Sequence, residues 1–314
     1  MSAAVRTCLA LALLAIFAPA AQAMEFSPWA TAVNAEDVLG TSSELNVVDF
    51  QDGCPIQSPD RLSLYMASTR PGGHGGIDIW IAHRDSKTDP WGAPENLPEP
   101  INSASDDFCP TPIRGGGLFF VSRRVTPGVT CGMGDIYLTR LNPGTGWETP
   151  QHLGCESDGG PNSPLDEQGP SYVKTGGPTL YFSSGIPSGP DVSGDIYKSE
   201  RHGDGSFGRP QLVTSLSSGA VDIQPNVRHD GREVVFASNR TGTLGFQDLW
   251  VATREGPNGP WSAPVNLGGA VNTVGASETR PSLSWDSTTL YFGRAAGGAA
   301  PATDIFVATR EMTD

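Results

Sequence analysis

The feature that most constrains the fold is an internal repeat of about 56 residues, because each repeat brings the same sequence markers in the same order. A proline opens each repeat, and successive marker prolines lie 55, 60, 55 and 56 residues apart, at Pro55, Pro110, Pro170, Pro225 and Pro281. An apolar pair follows eight to ten residues later, at 64–65, 118–119, 180–181, 234–235 and 290–291. The third marker is an aspartate followed by an aliphatic and an aromatic residue, and it begins at Asp78, Asp135, Asp195, Asp248 and Asp304. The fourth marker, an aromatic residue with proline three positions later, begins at Trp91, Trp147, Phe207 and Trp261.

Four strand-sized markers in each repeat predict four strands, which is the content of one propeller blade. The composition agrees, since 39 glycines and 27 prolines favour tight turns between short strands over helices. The fifth repeat lacks the fourth marker, but residues 29–34 match residues 261–266 and precede the first marker proline. The sequence therefore predicts an all-β fold, a five-bladed β-propeller of four-stranded antiparallel blades whose ring is closed by the N-terminal strand.

The first 23 residues have the pattern of a secretory signal peptide. Arg6 precedes an apolar run from Leu9 to Phe17, and residues 21–23 form a small-x-small cleavage site. This run is too short to span a bilayer core of about 30 Å. We therefore expect residues 24–314 to form one propeller domain that is exported to the periplasm or the extracellular space. Residues 24–39 are expected to hold the outer strand of the last blade, and the repeats to cover about 50–104, 105–164, 165–219, 220–274 and 275–314.

The charge balance excludes one class of partner. The chain has 20 Lys and Arg against 34 Asp and Glu, and its formal net charge is −14. It therefore lacks the clustered cations that bind phosphate backbones. No nucleic-acid partner and no membrane insertion are predicted. The protein is expected to be a monomer whose partner is another protein or a cell-envelope glycan.

The loops at one end of the predicted ring are the candidate functional surface. In an antiparallel blade, the loop between the second and third strands lies on the same face as the connection to the next blade, and we call this face the top. The top loops are long and glycine-rich, at residues 70–77, 123–134, 185–194, 240–247 and 295–303. Binding residues are often found on long loops held by a rigid scaffold, which favours the top face.

A carboxylate lies three residues before each marker proline, at Asp52, Asp107, Glu167, Asp222 and Glu278. If the proline belongs to the innermost strand, these carboxylates are expected to converge around the upper mouth of the central channel. Like charges at short range repel, so the five groups need arginine partners, a bound cation or raised pKa values.

Three arginines occupy one equivalent position of the repeat, six residues after the start of the apolar pair, at Arg70, Arg124 and Arg240. They are expected to pair with some of the five carboxylates, but three arginines do not neutralise five carboxylates. Structural pairing and a ligand site therefore both stay open. No cofactor is predicted, and Ca²⁺ at the channel mouth is the one ion kept open.

Four cysteines follow the signal peptide, at Cys54, Cys109, Cys131 and Cys155. An even number of cysteines in an exported protein predicts disulfides. All four map to the top of the first two blades. Pairing Cys131 with Cys155 would join neighbouring strands and pairing Cys54 with Cys109 would tie adjacent blades, but the three connectivities all stay open.

Several motifs resemble the TolB-type WD-like propeller repeat family. They include the Ser-Pro-Asp run at 58–60, the Ser-Asn-Arg run at 238–240, the glycine-rich run at 72–78 and the Trp-Ser-Ala-Pro-Val-Asn-Leu-Gly run at 261–268. The resemblance covers essentially the whole chain after the signal peptide and implies an exported propeller that acts as a binding or scaffold module. TolB has six blades whereas this chain has five repeats, so no partner is carried over from TolB.

No catalytic triad is predicted, because the five histidines are scattered over different repeats without a recurring nucleophile. The predicted function is an exported, non-catalytic binding or scaffold module that recognises a protein or an envelope glycan through its top-face loops and channel mouth. The alternative is a glycoside hydrolase of the five-bladed arabinanase-like type that uses channel carboxylates. Glycosidic hydrolysis needs two carboxyl groups roughly 5 to 9.5 Å apart, and the predicted carboxylate ring would supply them.

Overall fold

The computed structural model describes residues 25–38, 44–185, 193–297 and 302–313. The predicted signal peptide lies outside these residues, as do parts of two top loops, at 186–192 and 298–301. Apart from two single-turn 3₁₀ helices, Ala35–Asp37 and Glu156–Asp158, the regular structure is β. The strands are β1 Glu25–Phe26 and β2 Val33–Asn34; β3 Asp52–Gln57, β4 Ser63–Ser68, β5 Asp78–His83 and β6 Glu95–Asn96; β7 Asp107–Ile113, β8 Gly117–Ser122, β9 Asp135–Asn142, β10 Gly146–Trp147 and β11 Gln151–His152; β12 Asp166–Val173, β13 Thr179–Gly185, β14 Asp195–Glu200 and β15 Gln211–Leu212; β16 Asp222–Val227, β17 Glu233–Ser238, β18 Asp248–Thr253 and β19 Val265–Asn266; β20 Ala276–Leu283, β21 Thr289–Ala296, β22 Asp304–Thr309 and β23 Met312–Thr313.

Five antiparallel sheets form the blades, which confirms the predicted five-bladed propeller, and β1 and β23 form a separate two-stranded sheet. Blades 1 to 5 begin with their innermost strands β3, β7, β12, β16 and β20, and each continues outward in chain order. Blade 2 has an extra short strand, because β10 and β11 both pair with β9. Blade 5 takes its outermost strand, β2, from the N-terminal end of the chain. No helix among the described residues is both long and apolar enough to cross a membrane.

The repeat markers form the core between the blades. The residue two positions after the start of each apolar pair is fully buried: Met66, Phe120, Phe182, Phe236 and Phe292. The aliphatic residue of the third marker is also 0% exposed in every blade: Ile79, Ile136, Ile196, Leu249 and Ile305. Each such side chain contributes about 1.5–3 kcal/mol through the hydrophobic effect. The apolar clusters combine residues of neighbouring blades, so this burial stabilises the ring as well as each blade.

Every blade is joined to the one before it by a backbone hydrogen bond at the top. The residue that carries the repeat-wide carboxylate donates its N–H to a carbonyl of the preceding blade over 2.8–2.9 Å. The five pairs are Asp52 with Thr303, Asp107 with Ile77, Glu167 with Gly134, Asp222 with Gly194 and Glu278 with Gln247. The first pair links blade 1 to blade 5, so the five hydrogen bonds connect the blades into a closed ring.

The N-terminal segment completes blade 5. Val33 lies opposite Val307 and Asn34 opposite Phe306 in the ladder between β2 and β22. Strand β1 pairs in the same way with β23 near the end of the chain. The Arg310 guanidinium lies 4.3 Å from the centroid of the Trp29 ring. The predicted closure is therefore present, although the ladder with β22 is only two residues long.

Two disulfides are present, and they settle the connectivity. Cys54 pairs with Cys109, with 4.9 Å between the Cα atoms, and ties the innermost strands of blades 1 and 2. Cys131 pairs with Cys155, with 5.7 Å between the Cα atoms, and joins the top loop before β9 to the segment after β11.

Removing residues 24–38 should lower the melting temperature, because the truncation uncovers the edge of β22 and exposes the apolar surface that Trp29 covers. We expect a loss of about 2–4 kcal/mol in the free energy of unfolding. Thermal and urea unfolding followed by circular dichroism measure it. Val38→Ser, at an exposed position of the same segment, is the control and should unfold like the wild type. Equal melting temperatures for the truncated and full mature proteins would contradict the closure.

Mass mapping of the non-reduced, exported protein should find the two disulfides and no thiol that reacts with an alkylating agent. Replacing either pair by serine should cost about 2–5 kcal/mol, and slightly more for Cys54 and Cys109, because this pair closes the longer loop. Four reactive thiols in the mature protein, or serine pairs that leave stability unchanged, would refute the prediction.

Candidate functional site

A cavity of about 480 Å³ lies at the top end of the central channel. Its volume is within the range of small-molecule sites. All five blades contribute to the wall, mainly through the starts of the innermost strands. Polar side chains in the lining include Gln51, Arg123, Asp166, Gln168, Gln224 and Arg280.

A β-bulge repeated in every innermost strand forms the narrow part of the channel below this cavity. The residue before each marker proline has a positive φ, and the strand register shifts around it in each blade. A bulge bends the strand and re-aims its side chains. These five bulge residues and the prolines enclose a second cavity of about 30 Å³, which has room for about one water. The bulge residues are Cys54 (φ 47°), Cys109 (48°), Gly169 (58°), Gln224 (56°) and Arg280 (56°).

Three stacked side chains cross the lower end of the channel. The Trp285 ring stacks on the His229 ring with 4.6 Å between centroids, and the Arg114 guanidinium lies 4.4 Å from the Trp285 ring. These residues follow the innermost strands of blades 5, 4 and 2. Because blades 2 and 5 are not neighbours, the contact between Arg114 and Trp285 spans the channel, and we call the three residues the lower stack.

The five repeat-wide carboxylates lie inside the blades, and none of them lines the upper cavity. Each accepts a hydrogen bond from the loop that arrives from the preceding blade, as Asp52 does from the Val47 N–H over 2.7 Å. The expected ring around the channel mouth is therefore not formed, because successive side chains of a strand point to opposite faces and these five face the blade. Their assignment to ligand or Ca²⁺ binding remains an untested prediction. All five are 0% exposed: Asp52, Asp107, Glu167, Asp222 and Glu278.

Arginines neutralise four of these five carboxylates. The three arginines singled out in the sequence pair as expected: Arg70 with Asp52 at 2.6 Å, Arg124 with Asp107 at 2.8 Å, and Arg240 with Asp222. A fourth arginine, Arg294, pairs with Glu278 at 2.8 Å. The repeat register did not predict Arg294, because it lies four rather than six residues after the start of its apolar pair.

Glu167 in blade 3 differs from the other four carboxylates, since no arginine pairs with it among the described residues. Its Oε1 accepts hydrogen bonds from the hydroxyls of Ser163 (2.5 Å) and Ser184 (2.8 Å), while its Oε2 is buried without a partner. Burial raises the pKa of Glu167 to about 8, although both serines act in the opposite direction. Burial also raises the pKa of Glu278 to about 7, against the lowering effect of Arg294. Glu167 is therefore mainly protonated at neutral pH.

A second pair of carboxylates lies at a repeat position where the residue type differs between the blades. Asp106 and Asp166 precede the repeat-wide acid in blades 2 and 3, whereas the other blades carry Gln51, Val221 and Ser277 at this position. The sequence predictions missed both residues. The signal available was the doubled acid, Asp-Asp at 106–107 and Asp-Glu at 166–167, which occurs in two repeats of five.

Arg123 connects these two carboxylates at the top of the channel. Its Nη1 donates to Asp106 Oδ2 over 2.9 Å and its Nη2 to Asp166 Oδ2 over 3.0 Å. Because one rigid guanidinium bridges them, the two accepting oxygens are at most about 8 Å apart. The Asp166 side chain is 0% exposed, whereas Asp106 and Arg123 keep 28% and 33% of their side-chain surface exposed.

Two glutamines extend this network around the cavity wall. Gln168 Nε2 donates to Asp166 Oδ2 over 2.8 Å, and Gln224 Nε2 donates to Gln168 Oε1 over 2.9 Å. Gln224 Oε1 accepts the backbone N–H of Arg280 over 3.0 Å. A carboxylate only accepts and a backbone N–H only donates. The Asp166 carboxylate and the Arg280 N–H, at the two ends of this series of hydrogen bonds, therefore determine the orientation of both amide groups.

Within the described ranges, one group of side chains has the residue types and spacing of a metal site: Cys131, Asp135 and His152. The Cys131 sulfur is bonded to Cys155, so it does not offer a thiolate. His152 Nε2 instead lies 3.1 Å from Asp135 Oδ2, and this contact braces the top loop that the disulfide closes.

Comparison with known proteins identifies the fold. No protein-family model matches the chain, and no curated protein matches it either. Among solved structures, a thermostable family-43 glycoside hydrolase aligns with a TM-score of 0.56 and 15% identity, over 84% of this chain and 89% of that chain. An α-L-arabinofuranosidase from Lactobacillus brevis aligns with a TM-score of 0.54 and 14% identity, over 90% and 95% of the two chains. A putative TolB from Agrobacterium tumefaciens aligns with a TM-score of 0.46 and 16% identity, over 84% of this chain and 91% of that chain.

The comparisons correct the functional prediction made from the sequence. The aligned structures are mainly glycoside hydrolases, so the prediction of a non-catalytic scaffold is wrong, and the alternative of a glycoside hydrolase is better supported. The five-bladed propeller is confirmed, whereas membership of the TolB-type repeat family stays a prediction. Identities of 14–15% establish a shared fold, so the activity has to be inferred from the side chains of this chain.

Stability should fall as the pH rises, because of Glu167. Its pKa of about 8 in the folded protein lies above the ordinary value of 4.5, so between these values the native state binds more protons than the unfolded state. The stabilisation is complete below about pH 4.5 and is lost as the pH rises through 8. Glu167→Gln keeps a neutral side chain of the same shape. From pH 5.5 to 8.5, urea unfolding should therefore show a larger loss of stability for the wild type than for Glu167→Gln.

Glu148→Gln, at an exposed position, is the control for this comparison and should follow the wild type. Glu278 titrates in all three proteins, so its contribution cancels in the difference. Parallel pH profiles for the wild type and Glu167→Gln would contradict a protonated Glu167.

Proposed function

We propose that the protein is a glycoside hydrolase that binds a glycan at the top of its central channel and uses Asp106 and Asp166 as its pair of carboxyl groups. The observation that carries this proposal is the placement of these two residues on either side of Arg123. Arg123 and Asp166 line a cavity of about 480 Å³, and Asp106 lies behind them, paired with Arg123. The five-bladed fold that the chain shares with glycoside hydrolases supports it.

The separation of the two carboxylates fits the chemistry. Retaining enzymes hold the two groups about 5–5.5 Å apart, and inverting enzymes about 6.5–9.5 Å apart. The accepting oxygens of Asp106 and Asp166 are at most about 8 Å apart, which is below the upper end of the second interval and leaves both mechanisms open. One carboxyl group protonates the leaving oxygen, and the other acts as nucleophile or activates water. This pair replaces the five repeat-wide carboxylates, which the blades bury.

Arg123 positions both carboxylates in this proposal. Its planar guanidinium donates to one oxygen of Asp106 and to both oxygens of Asp166. Asp166 is further oriented by Gln168, whereas Asp106 accepts the Ile77 N–H over 3.1 Å through its other oxygen. Both groups are therefore held in place before a substrate arrives, which is what acid and base catalysis at a glycosidic bond requires.

We also propose that the protein is exported and acts on a glycan outside the cytoplasm. The two disulfides support this location, since disulfides persist in oxidising compartments. A monomeric state and a protein partner remain predictions from the sequence.

Replacing Asp106 or Asp166 by asparagine should lower kcat/KM for glycan hydrolysis by about 10²–10⁴, because each variant lacks one group of the acid and base pair. The measurement is the release of reducing sugar from a panel of purified polysaccharides that includes arabinan and arabinoxylan. Asp85→Asn, at an exposed aspartate that follows β5 and does not line the cavity, is the matched control and should keep wild-type rates.

The same variants assign the two roles. With an aryl glycoside whose leaving group needs no protonation, the variant of the acid should keep most of its activity, while the variant of the nucleophile or base should not. Folded wild-type protein that hydrolyses nothing in the panel, or Asp106 and Asp166 variants that hydrolyse at wild-type rates, would overturn the proposal.

A further inference from the structure

Arg280 brings a positive charge into the channel that no described residue neutralises. Its side chain lines the upper cavity, and the one hydrogen bond that it makes with a described residue runs from its backbone N–H to Gln224 Oε1. The Nε atom is buried without a partner, and none of the ion pairs in the described ranges includes this guanidinium. Burial lowers the pKa of Arg280, and the charge of Arg123 lowers it further.

A guanidinium whose Nε is buried and that has no counter-charge is costly, because removing an ion from water is offset only by close opposite charge and hydrogen bonds. The other arginine of the cavity differs in this respect, since Arg123 has Asp106 and Asp166 as partners. Arg280 is also the one arginine among the five bulge residues. At this bulge position the other blades carry Cys54, Cys109, Gly169 and Gln224, so the fold does not require an arginine here.

The surroundings keep the guanidinium in place. The hydrogen bond to Gln224 holds the backbone of Arg280 at the bulge. Gly53 of the neighbouring blade leaves room for the side chain, because a β-carbon on Gly53 would lie only 2.7 Å from Arg280 Nη1. Gln51 and Gln247 bring two further side-chain amides to the same lining. The wall of the cavity around Arg280 therefore includes several residues whose side chains are hydrogen-bond donors.

We propose that Arg280 binds the carboxylate of an acidic sugar, so that the glycan recognised in this cavity contains a uronic acid. A guanidinium fork matches the two oxygens of a carboxylate, and side-chain amides suit the hydroxyls of a sugar ring. The substrate class rests on the proposed function, since it identifies which glycan the same cavity takes.

The test measures binding of monosaccharides that contain no glycosidic bond to hydrolyse, so it is independent of catalysis. Isothermal titration calorimetry with galacturonate, galactose and acetate separates the acidic sugar from its neutral counterpart and from a simple anion. The wild type should bind galacturonate at least about tenfold more tightly than galactose or acetate. Arg280→Gln should lose this preference, while Arg140→Gln, at an exposed arginine, should keep it.

A second variant covers the case in which Arg280→Gln does not fold. Gly53→Ala retains the arginine but displaces its guanidinium, and it should weaken galacturonate binding in the same direction. Equal affinities for galacturonate and galactose, or variants that bind galacturonate as the wild type does, would overturn the inference. Acetate binding as tight as galacturonate binding would identify a simple anion site and also overturn it. Hydrolysis of neutral glycans without galacturonate binding would leave the proposed function intact and refute only the acidic substrate.

Discussion

The buried carboxylate at each junction between blades is the interaction on which the rest of the ring depends. The residue that carries it donates its backbone N–H to the preceding blade, while its side chain holds the loop that arrives from that blade. An ionised carboxylate away from water is costly unless it is paired, and breaking such a pair typically costs about 3–5 kcal/mol. Four junctions meet this demand with an arginine. The fifth meets it with a protonated Glu167 and two serine hydroxyls.

These junctions also determine which positions are free to carry function. Once the repeat-wide carboxylate faces the blade, the residues on either side of it along the strand face the channel. Those flanking positions differ between blades, because the ring places no common demand on them. Asp106 and Asp166 lie at such variable positions, and Arg280 lies at the bulge two residues after Glu278, which also varies between blades. In this propeller the residues that recur in every repeat stabilise the ring, and the residues proposed to act on or bind a glycan are ones that differ between repeats.

The sequence is sufficient to predict much of this architecture. The markers predict the number of blades and the N-terminal closure, and a single repeat position predicts three of the four arginine partners. Cysteine count and location predict the two disulfides, although only the structure determines the pairing.

The site was harder to predict, for two physical reasons. The spacing of residues gives the period of the repeat but not the face of the strand to which a side chain points. The five repeat-wide carboxylates were therefore expected to face the channel, whereas they face the interior of the blades. A bulge in each innermost strand adds one residue and shifts that face again, which decides where Arg280 points. Asp106 and Asp166 are recognisable in the sequence as doubled acids. A search for residues common to all five repeats does not find them, because they occur in only two repeats.

The lower stack blocks one end of the channel. Trp285, His229 and Arg114 cross its lower end, and the bulges narrow it above them to a space for about one water. A polysaccharide therefore cannot be threaded through the ring. Under the proposed function, a sugar bound in the upper cavity enters and leaves through the same mouth, so a product that occupies the cavity competes directly with the next substrate.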